Sequence, residues 1–258
     1  MSKWYNDIKI GCGIVRILKI VAISFFVFCL ICLTSGCSKN ENELVLVTEA
    51  GFAPYEYYED GEIVGVDIDI AKEIAKELGK ELVIKDVSFD FLINEVKSGK
   101  ADFAAAGISI TPERAEEVNF TVEYTTSNQV VVVKKGSNIK NFDDIKNKKI
   151  AVQLGTVADL YVEDNYKDAT VVSHKKYLSA VEDVKTGKAD CIIMDELPAK
   201  AIVNENENLV ILDGILFQDK YGMIVKKGND ELKSKINTVL ERMINDGTIE
   251  DLVLKHSK

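Results

Sequence analysis

The chain reads as an α/β protein built from two lobes that are joined by two crossings. Three observations predict this. The heptapeptide Val-Lys-(Ser/Thr)-Gly-Lys-Ala-Asp occurs twice, at Val96 to Asp102 and at Val184 to Asp190, a spacing of 88 positions. Each copy lies between an amphipathic stretch and a short apolar run, and strand-like and helix-like patterns alternate around both copies. Two polar-aromatic stretches, Tyr124 to Asn128 and Phe217 to Tyr221, interrupt that alternation where the chain would leave one lobe and return to it. A chance repeat of a helix, glycine, strand connection is the alternative, since Gly caps helices and Lys favours their C-termini. Seven matched positions in matched contexts exceed what capping alone requires.

Taken in order, Glu43 to Thr48 alternates and is β-rich, and Gly51-Phe-Ala-Pro-Tyr55 follows as a loop. A second extended piece begins at Gly61. Asp67 or Asp69 is expected to start a helix in which Ile70, Ile74 and Leu78 recur, closed by Gly79. A strand over Glu81 to Val87, a helix over Asp90 to Ser98 and a strand over Ala101 to Ala106 complete the first lobe. Thr111-Pro112-Glu113 reads as N-cap, first-turn proline and first-turn acid of another helix. The Val-rich run Gln129 to Lys134 opens the second lobe. Strands at Lys149 to Gln153, Ala169 to Ser173 and Ala189 to Met194 then alternate with helices at about 157–165, 178–186 and 197–205. After Leu209 to Leu212 the chain crosses back, Tyr221 to Val225 forms a strand, and two helices end the chain with Leu232, Ile236, Val239, Leu240 and Met243 on one face. The expected organisation is 44–123 with 222–258 as lobe one, 129–216 as lobe two, and 124–128 with 217–221 as a hinge. Two crossings let lobes close on something.

Residues 1–36 look like an export signal: Lys3, Lys9, Arg16 and Lys19 precede the uncharged run Ile20 to Leu33, which is short for a membrane span. Thr34-Ser35-Gly36-Cys37 resembles the lipobox of bacterial lipoproteins, which makes Cys37 the lipidation site and 37–43 a tether; an uncleaved signal anchor is the rival. The leader's four basic residues and one acid leave the body near −13, against −10 for the whole chain. That charge argues against nucleic acid. Cys191 is the body's sole cysteine, on an apolar strand, so no internal disulfide is available. His174 and His256 are too few for a zinc site or a Ser-His-Asp triad and are expected on the solvated surface. No phosphate-binding glycine motif stands in the body, and no cofactor is expected.

The residues at the strand ends suit a zwitterion, which needs an anion holder and a carboxylate shielded from water. Arg114, Ser109 and helix N–H groups are candidates for the anion pole, with Leu154-Gly155-Thr156 offering further backbone N–H donors. Asp195 is the candidate ammonium acceptor. Each has an ordinary alternative: Arg114 as a partner of Glu113 or Glu117, Thr156 as an N-cap, Asp195 as the cap of the next helix.

From Leu44 to about His256 the chain resembles the extracellular solute-binding proteins of polar amino-acid ABC importers, with the type II periplasmic-binding-protein fold. The stretches that carry the likeness are Glu49-Ala-Gly-Phe-Ala-Pro-Tyr-Glu-Tyr57, Gly65-Val-Asp-Ile-Asp-Ile-Ala-Lys-Glu-Ile-Ala75, Gly107-Ile-Ser-Ile-Thr-Pro-Glu-Arg114, Val152-Gln-Leu-Gly-Thr156 and Met194-Asp195-Glu196. The resemblance implies that Arg114 and Thr156 hold the ligand carboxylate and that Asp195, Gly107 and Ser109 hold its ammonium. It implies further that Phe52 and Phe89 sandwich the side chain, with Glu49 and Gln153 at its polar end. It also implies a membrane permease as partner and a monomer anchored to the membrane by lipid. Glu49 would be a surplus negative charge, which favours arginine or lysine over an uncharged ligand such as glutamine or cystine. A dehydratase-like enzyme on the same scaffold is the competing function, with Glu49 or Asp195 as general acid.

Overall fold

The computed structural model of the chain describes residues Asn40–Ser257. The leader and Cys37 lie outside the described residues. Among those residues, no helix is long and apolar enough to cross a membrane.

The first lobe begins with β1 (Glu43–Thr48), the hairpin β2 (Tyr57–Glu59) and β3 (Glu62–Val64), and α1 (Val66–Glu77). It continues through β4 (Glu81–Asp86), a short 3₁₀ turn at Phe89–Phe91, α2 (Leu92–Lys97), β5 (Phe103–Ala104), α3 (Pro112–Glu117) and β6 (Val118–Phe120). Then β7 (Thr125–Lys134) leads into the second lobe: β8 (Lys149–Gln153), α4 (Val157–Asn165), β9 (Thr170–His174), α5 (Tyr177–Thr186), β10 (Cys191–Asp195), α6 (Glu196–Glu205) and β11 (Leu209–Ile211). The chain returns along β12 (Phe217–Tyr221) to β13 (Ile224–Lys226), α7 (Asp230–Asn245) and α8 (Thr248–His256).

The two main sheets repeat one pattern. In the first, ordered β4-β1-β5-β13-β6, β1 lies between two parallel neighbours and the returning β13 runs antiparallel beside β5. In the second, ordered β11-β7-β10-β8-β9, β8 lies between two parallel neighbours and the incoming β7 runs antiparallel beside β10. The strands β1, β5, β8 and β10 are buried on both faces, which accounts for their continuous apolar runs.

The duplicated heptapeptide has a physical role in each lobe. Gly99 and Gly187 turn the chain at φ 76° and 77° after the preceding helix. The final aspartate of each copy then joins the third strand to the first strand through two bonds. The backbone N–H of Asp102 donates to Val45 O and its carboxylate accepts from Val45 N, both at 2.8 Å. Asp190 does the same with Lys149, again at 2.8 Å for both bonds. Val96 and Val184 are fully buried beneath these turns.

Several boundaries differ from the sequence reading. β7 starts at Thr125 rather than Gln129, because Thr125 to Gln129 pair antiparallel with Tyr221 to Phe217, so both crossings are strands of one ribbon. The strand expected over 101–106 shortens to Phe103–Ala104, since Gly107 leaves the sheet at φ 54°. α1 starts at Val66 behind Gly65, and neither aspartate caps it. Asp67 is instead fully buried, accepting from Tyr124 Oη at 2.7 Å and Gly107 N at 3.1 Å. Asp69 binds the C-terminal helix, at 2.6 Å from Lys255 Nζ and 2.9 Å from His256 Nε2. Neither histidine is solvated as expected: His256 also meets Tyr57 Oη at 3.1 Å, and His174 pairs with Asp183 at 2.9 Å. α7 lays Ile236, Val239, Leu240 and Met243 into the first lobe's core, worth roughly 1.5–3 kcal/mol for each large side chain. Cys191 is a buried free thiol, pushed up to about 12 by burial.

Candidate functional site

A cleft lies between the lobes, and its cavity is about 10 Å³, the room of one water. Its lining brings together Glu49, Phe52, Phe89, Gly107, Ser109, Gln153, Thr156 and Asp195, all singled out from the sequence, together with Glu56, Ala106, Val157 and Tyr177. Arg114 lies beside this cavity, lining an adjoining one that shares Phe89. Glu56 and Tyr177 were missed by sequence reasoning; Glu56 lies in the same Pro-Tyr-Glu-Tyr segment as the aromatic loop.

The backbone supplies the close approaches. β1 ends at Thr48 and delivers Glu49 and Phe52 to the cleft floor, and β5 delivers Gly107. A side chain at Gly107 would place its Cβ 2.8 Å from Phe52 Cε1 and 3.1 Å from Tyr221 Cε2, so only glycine fits. Across the cleft, Tyr177 at the start of α5 stacks on Phe52 with ring centroids 5.2 Å apart and planes 18° apart. These rings, with Tyr55 and Tyr221, continue the hydrophobic core from one lobe to the other.

One pole is formed by Arg114, which is 7 % exposed. Its Nη1 donates to Ser109 O at 2.7 Å in its own lobe, and its Nη2 donates to Gly155 O at 2.9 Å in the other. The guanidinium also lies over the Phe89 ring, 5.5 Å from its centroid. Thr111 caps α3 as expected, accepting from Arg114 N at 3.2 Å. The other donors expected at this pole are engaged elsewhere. Ser109 Oγ donates to Asp219, Gly155 N donates to Asp159 Oδ2 at 2.9 Å, and Thr156 N donates to Gln153 O at 3.3 Å. Thr156 caps α4, its hydroxyl accepting from Asp159 N at 3.3 Å and donating to Gln153 O at 2.8 Å. In the shut cleft, then, the group left with donors for an anion is the guanidinium, through its remaining N–H groups.

The opposite pole is Asp195 at the end of β10. It precedes α6 without capping it. Its Oδ1 accepts from Ser127 Oγ and Gln129 Nε2, each at 2.7 Å, and from Tyr221 Oη. Its Oδ2 has only Tyr177 Oη at 3.5 Å. One carboxylate oxygen is thus fixed by both crossing strands and the other keeps unused acceptor capacity. Burial raises the Asp195 pKa, against the hydrogen bonds from Ser127, Tyr221 and Gln129. Neighbouring Asp219 is pushed up to about 7 by burial and by the charge of Asp195.

At the distal end Glu49 is 1 % exposed. Its Oε2 accepts from Gln153 Nε2 at 3.1 Å, and Gln153 is fixed by donating to Lys175 O at 3.0 Å. The sequence reading left Glu49 without a cation. The structure supplies one, Lys176, whose Nζ lies 2.6 Å from Glu49 Oε1. Nothing in the local sequence marks this pairing, because it forms only when the lobes shut.

Two further acids lie beneath the floor. Glu56 is 1 % exposed with neither carboxyl oxygen partnered by a donor, and burial with the charge of Asp67 holds its pKa well above the usual range. Burial carries Asp67 up to about 6, against the bonds from Tyr124 and Gly107. A raised acid favours the folded state below its unfolded pKa, and that contribution is lost as pH rises through the folded value. Folding stability is therefore expected to fall between about pH 4 and pH 7, with Asp67 contributing about 3 kcal/mol of the change. Urea unfolding at pH 5 and pH 7.5 checks this, and Asp67→Asn is expected to flatten the profile.

Among the described residues there is no cluster able to hold a metal ion. A buried guanidinium and a buried carboxylate at opposite ends of an aromatic slot, on lobes joined by two strands, define a receptor that shuts on a small dipolar molecule. The chain belongs to the bacterial extracellular solute-binding proteins, family 3, whose model matches residues 44–258. ABC transporter arginine-binding protein 1 of Escherichia coli (strain K12) is 32% identical over 225 residues, 85% of this chain and 92% of that one. The crystal structure of a mutant ArgBP from T. maritima is 38% identical with a TM-score of 0.80, covering 83% of this chain and 95% of that one. The amino-acid ABC transporter substrate-binding protein AbpA from Streptococcus pneumoniae, solved bound to L-arginine, is 34% identical with a TM-score of 0.80, covering 83% and 94%.

Proposed function

We propose that this protein is the lipid-anchored, extracytoplasmic receptor of an amino-acid ABC importer, that it closes on free arginine or lysine, and that it hands the ligand to a membrane permease without making or breaking a bond. One observation carries the choice of ligand: the acids Asp195 and Glu49 line the cavity and no basic side chain does, while Lys176, which meets Glu49 from outside that lining, has Asp86 as an alternative partner. A guest with two cationic groups and one carboxylate matches that lining, provided its carboxylate faces Arg114. In this reading its α-ammonium takes the free Oδ2 of Asp195 and its side chain runs between Phe52 and Phe89 toward Glu49 and Gln153. Gly107, Ser109 and Thr156 shape the α-carbon end. The relatives named for arginine, and the arginine-bound structure, support the ligand class.

The cavity is far smaller than such a guest, so uptake requires the lobes to part about the ribbon of β7 and β12. The ligand then biases closure, because only the shut form presents both poles to it at once. Cys37 would carry the lipid. Cys37→Ser is expected to move the protein from the membrane fraction to the soluble one, and unchanged fractionation refutes the anchor.

The sole tryptophan, Trp4, falls in the leader that processing at Cys37 would remove, so ligand screening needs a readout other than intrinsic tryptophan fluorescence. A thermal-shift screen of the common amino acids against the purified protein is the direct test. Arginine or lysine at 100 times its Kd is expected to add about 2.7 kcal/mol, a rise of roughly 5–10 °C. A screen in which no amino acid moves the midpoint overturns the reading.

A further inference from the structure

We propose that Lys176 is a built-in counter-cation for Glu49 and that it sets how strongly the cleft prefers a cationic side chain over a neutral one. The inference rests on the amino-acid-receptor reading above and adds to it a residue that determines specificity.

Three features carry it. Glu49 has a side chain only 2 % exposed, and a carboxylate so buried requires a compensating charge in the shut form. Lys176 meets that need from the opposite lobe, at the loop between β9 and α5, beside the Tyr177 that stacks on Phe52. The 2.6 Å ion pair occupies one acceptor position of Oε1 and leaves that oxygen's second position unfilled. The carboxylate is neutralised yet still able to accept from a guest.

Lys176 also has somewhere else to go. Its Nζ lies 3.3 Å from Asp86 Oδ1, at the end of β4, and its side chain is 39 % exposed, so it can swing outward onto Asp86 without losing an anionic partner. Asp86 is held in place by Ala50 N at 2.9 Å and Tyr58 Oη at 3.3 Å. Two arrangements follow. With a neutral amide side chain in the slot, Lys176 stays on Glu49 and the carboxylate accepts an amide proton. With a guanidinium or ammonium in the slot, like charges repel, Lys176 retires to Asp86 and the guest takes over Glu49. Lys176 therefore makes the neutral guest acceptable and charges a penalty on the cationic one, so the lysine lowers the ratio between them.

The test is titration calorimetry of the Lys176→Met protein with L-arginine and with L-glutamine. Loss of the competing cation is expected to tighten arginine and weaken glutamine, raising the preference for arginine by about tenfold or more. In a Glu49→Gln background the same lysine substitution is expected to leave the ratio unchanged, because the lysine acts through that carboxylate. Equal weakening of both ligands would make Lys176 only a latch between the lobes and overturn the inference, as would an unaltered ratio. If the unsubstituted protein binds some amino acid and the ratio does not respond, only this inference falls. If the unsubstituted protein binds no amino acid, the receptor reading falls and takes the inference with it.

Discussion

Arg114→Ala is expected to remove detectable amino-acid binding, a loss of at least about 100-fold, while the protein stays folded. Among the described residues that line the cleft cavity and the one adjoining it, Arg114 is the only basic one, and the hydroxyl and backbone donors around it are already engaged by Asp219, Asp159 and Gln153. A ligand carboxylate shut in without it would be a buried charge with no partner, which costs roughly 3–5 kcal/mol. The substitution also removes a side chain that donates to both lobes, at Ser109 O and Gly155 O, so the shut form loses a tie as well as a ligand contact. The fold survives because the core beneath is apolar and Thr111 still caps α3. Calorimetry with arginine, lysine and glutamine measures the first effect and circular dichroism the second; full affinity in the variant would refute the carboxylate assignment. Arg114→Lys is expected to restore little, since an ammonium cannot reproduce the planar fork that spans two carbonyls.

What the sequence made legible depended on how local the physics was. The heptapeptide marked both lobes because helix end, glycine turn and strand start are adjacent in the chain, and the aspartate that closes each copy bonds a neighbouring strand in the same lobe. Cleft residues at strand ends were legible for a related reason: a buried strand must deliver its next residue to the sheet's edge, which placed Gly107 and Asp195 together, whereas Glu49 and Gln153 were marked only by the family resemblance. Groups whose roles arise from burial were not legible. Asp67 carries the sequence signature of a helix start, yet its carboxylate turns inward to Gly107 and Tyr124. Lys176 meets Glu49 and Tyr177 meets Phe52 across the shut cleft, each more than 100 residues away in the chain, and no local pattern encodes those meetings. Ser127 and Gln129, expected as part of a crossing and a strand, prove to be the donors that fix one oxygen of Asp195.

That last arrangement makes Asp195→Asn the sharpest separation of binding from stability. The carboxylate is fully enclosed, its pKa raised by burial, with Asp219 held up to about 7 beside it. Two acids so placed repel at neutral pH, and an amide in place of one removes that repulsion while its carbonyl can still accept from Ser127, Gln129 and Tyr221. The ligand-free variant is therefore expected to unfold at the same temperature as the parent or higher. Binding is expected to behave oppositely. The α-ammonium of the guest would meet an amide, whose N–H₂ faces it with the wrong polarity, in place of the carboxylate proposed to receive it. Losing one partner of a buried charge pair costs roughly 3–5 kcal/mol, a weakening of about 100-fold to 1,000-fold or more. The same loss should apply to arginine and glutamine, because both carry the α-ammonium, whereas substitutions at Glu49 or Lys176 act on the side-chain end and divide the two ligands. A variant that loses stability together with affinity, or that discriminates between ligands by side-chain charge, would place Asp195 in the scaffold or at the distal end instead of at the ammonium.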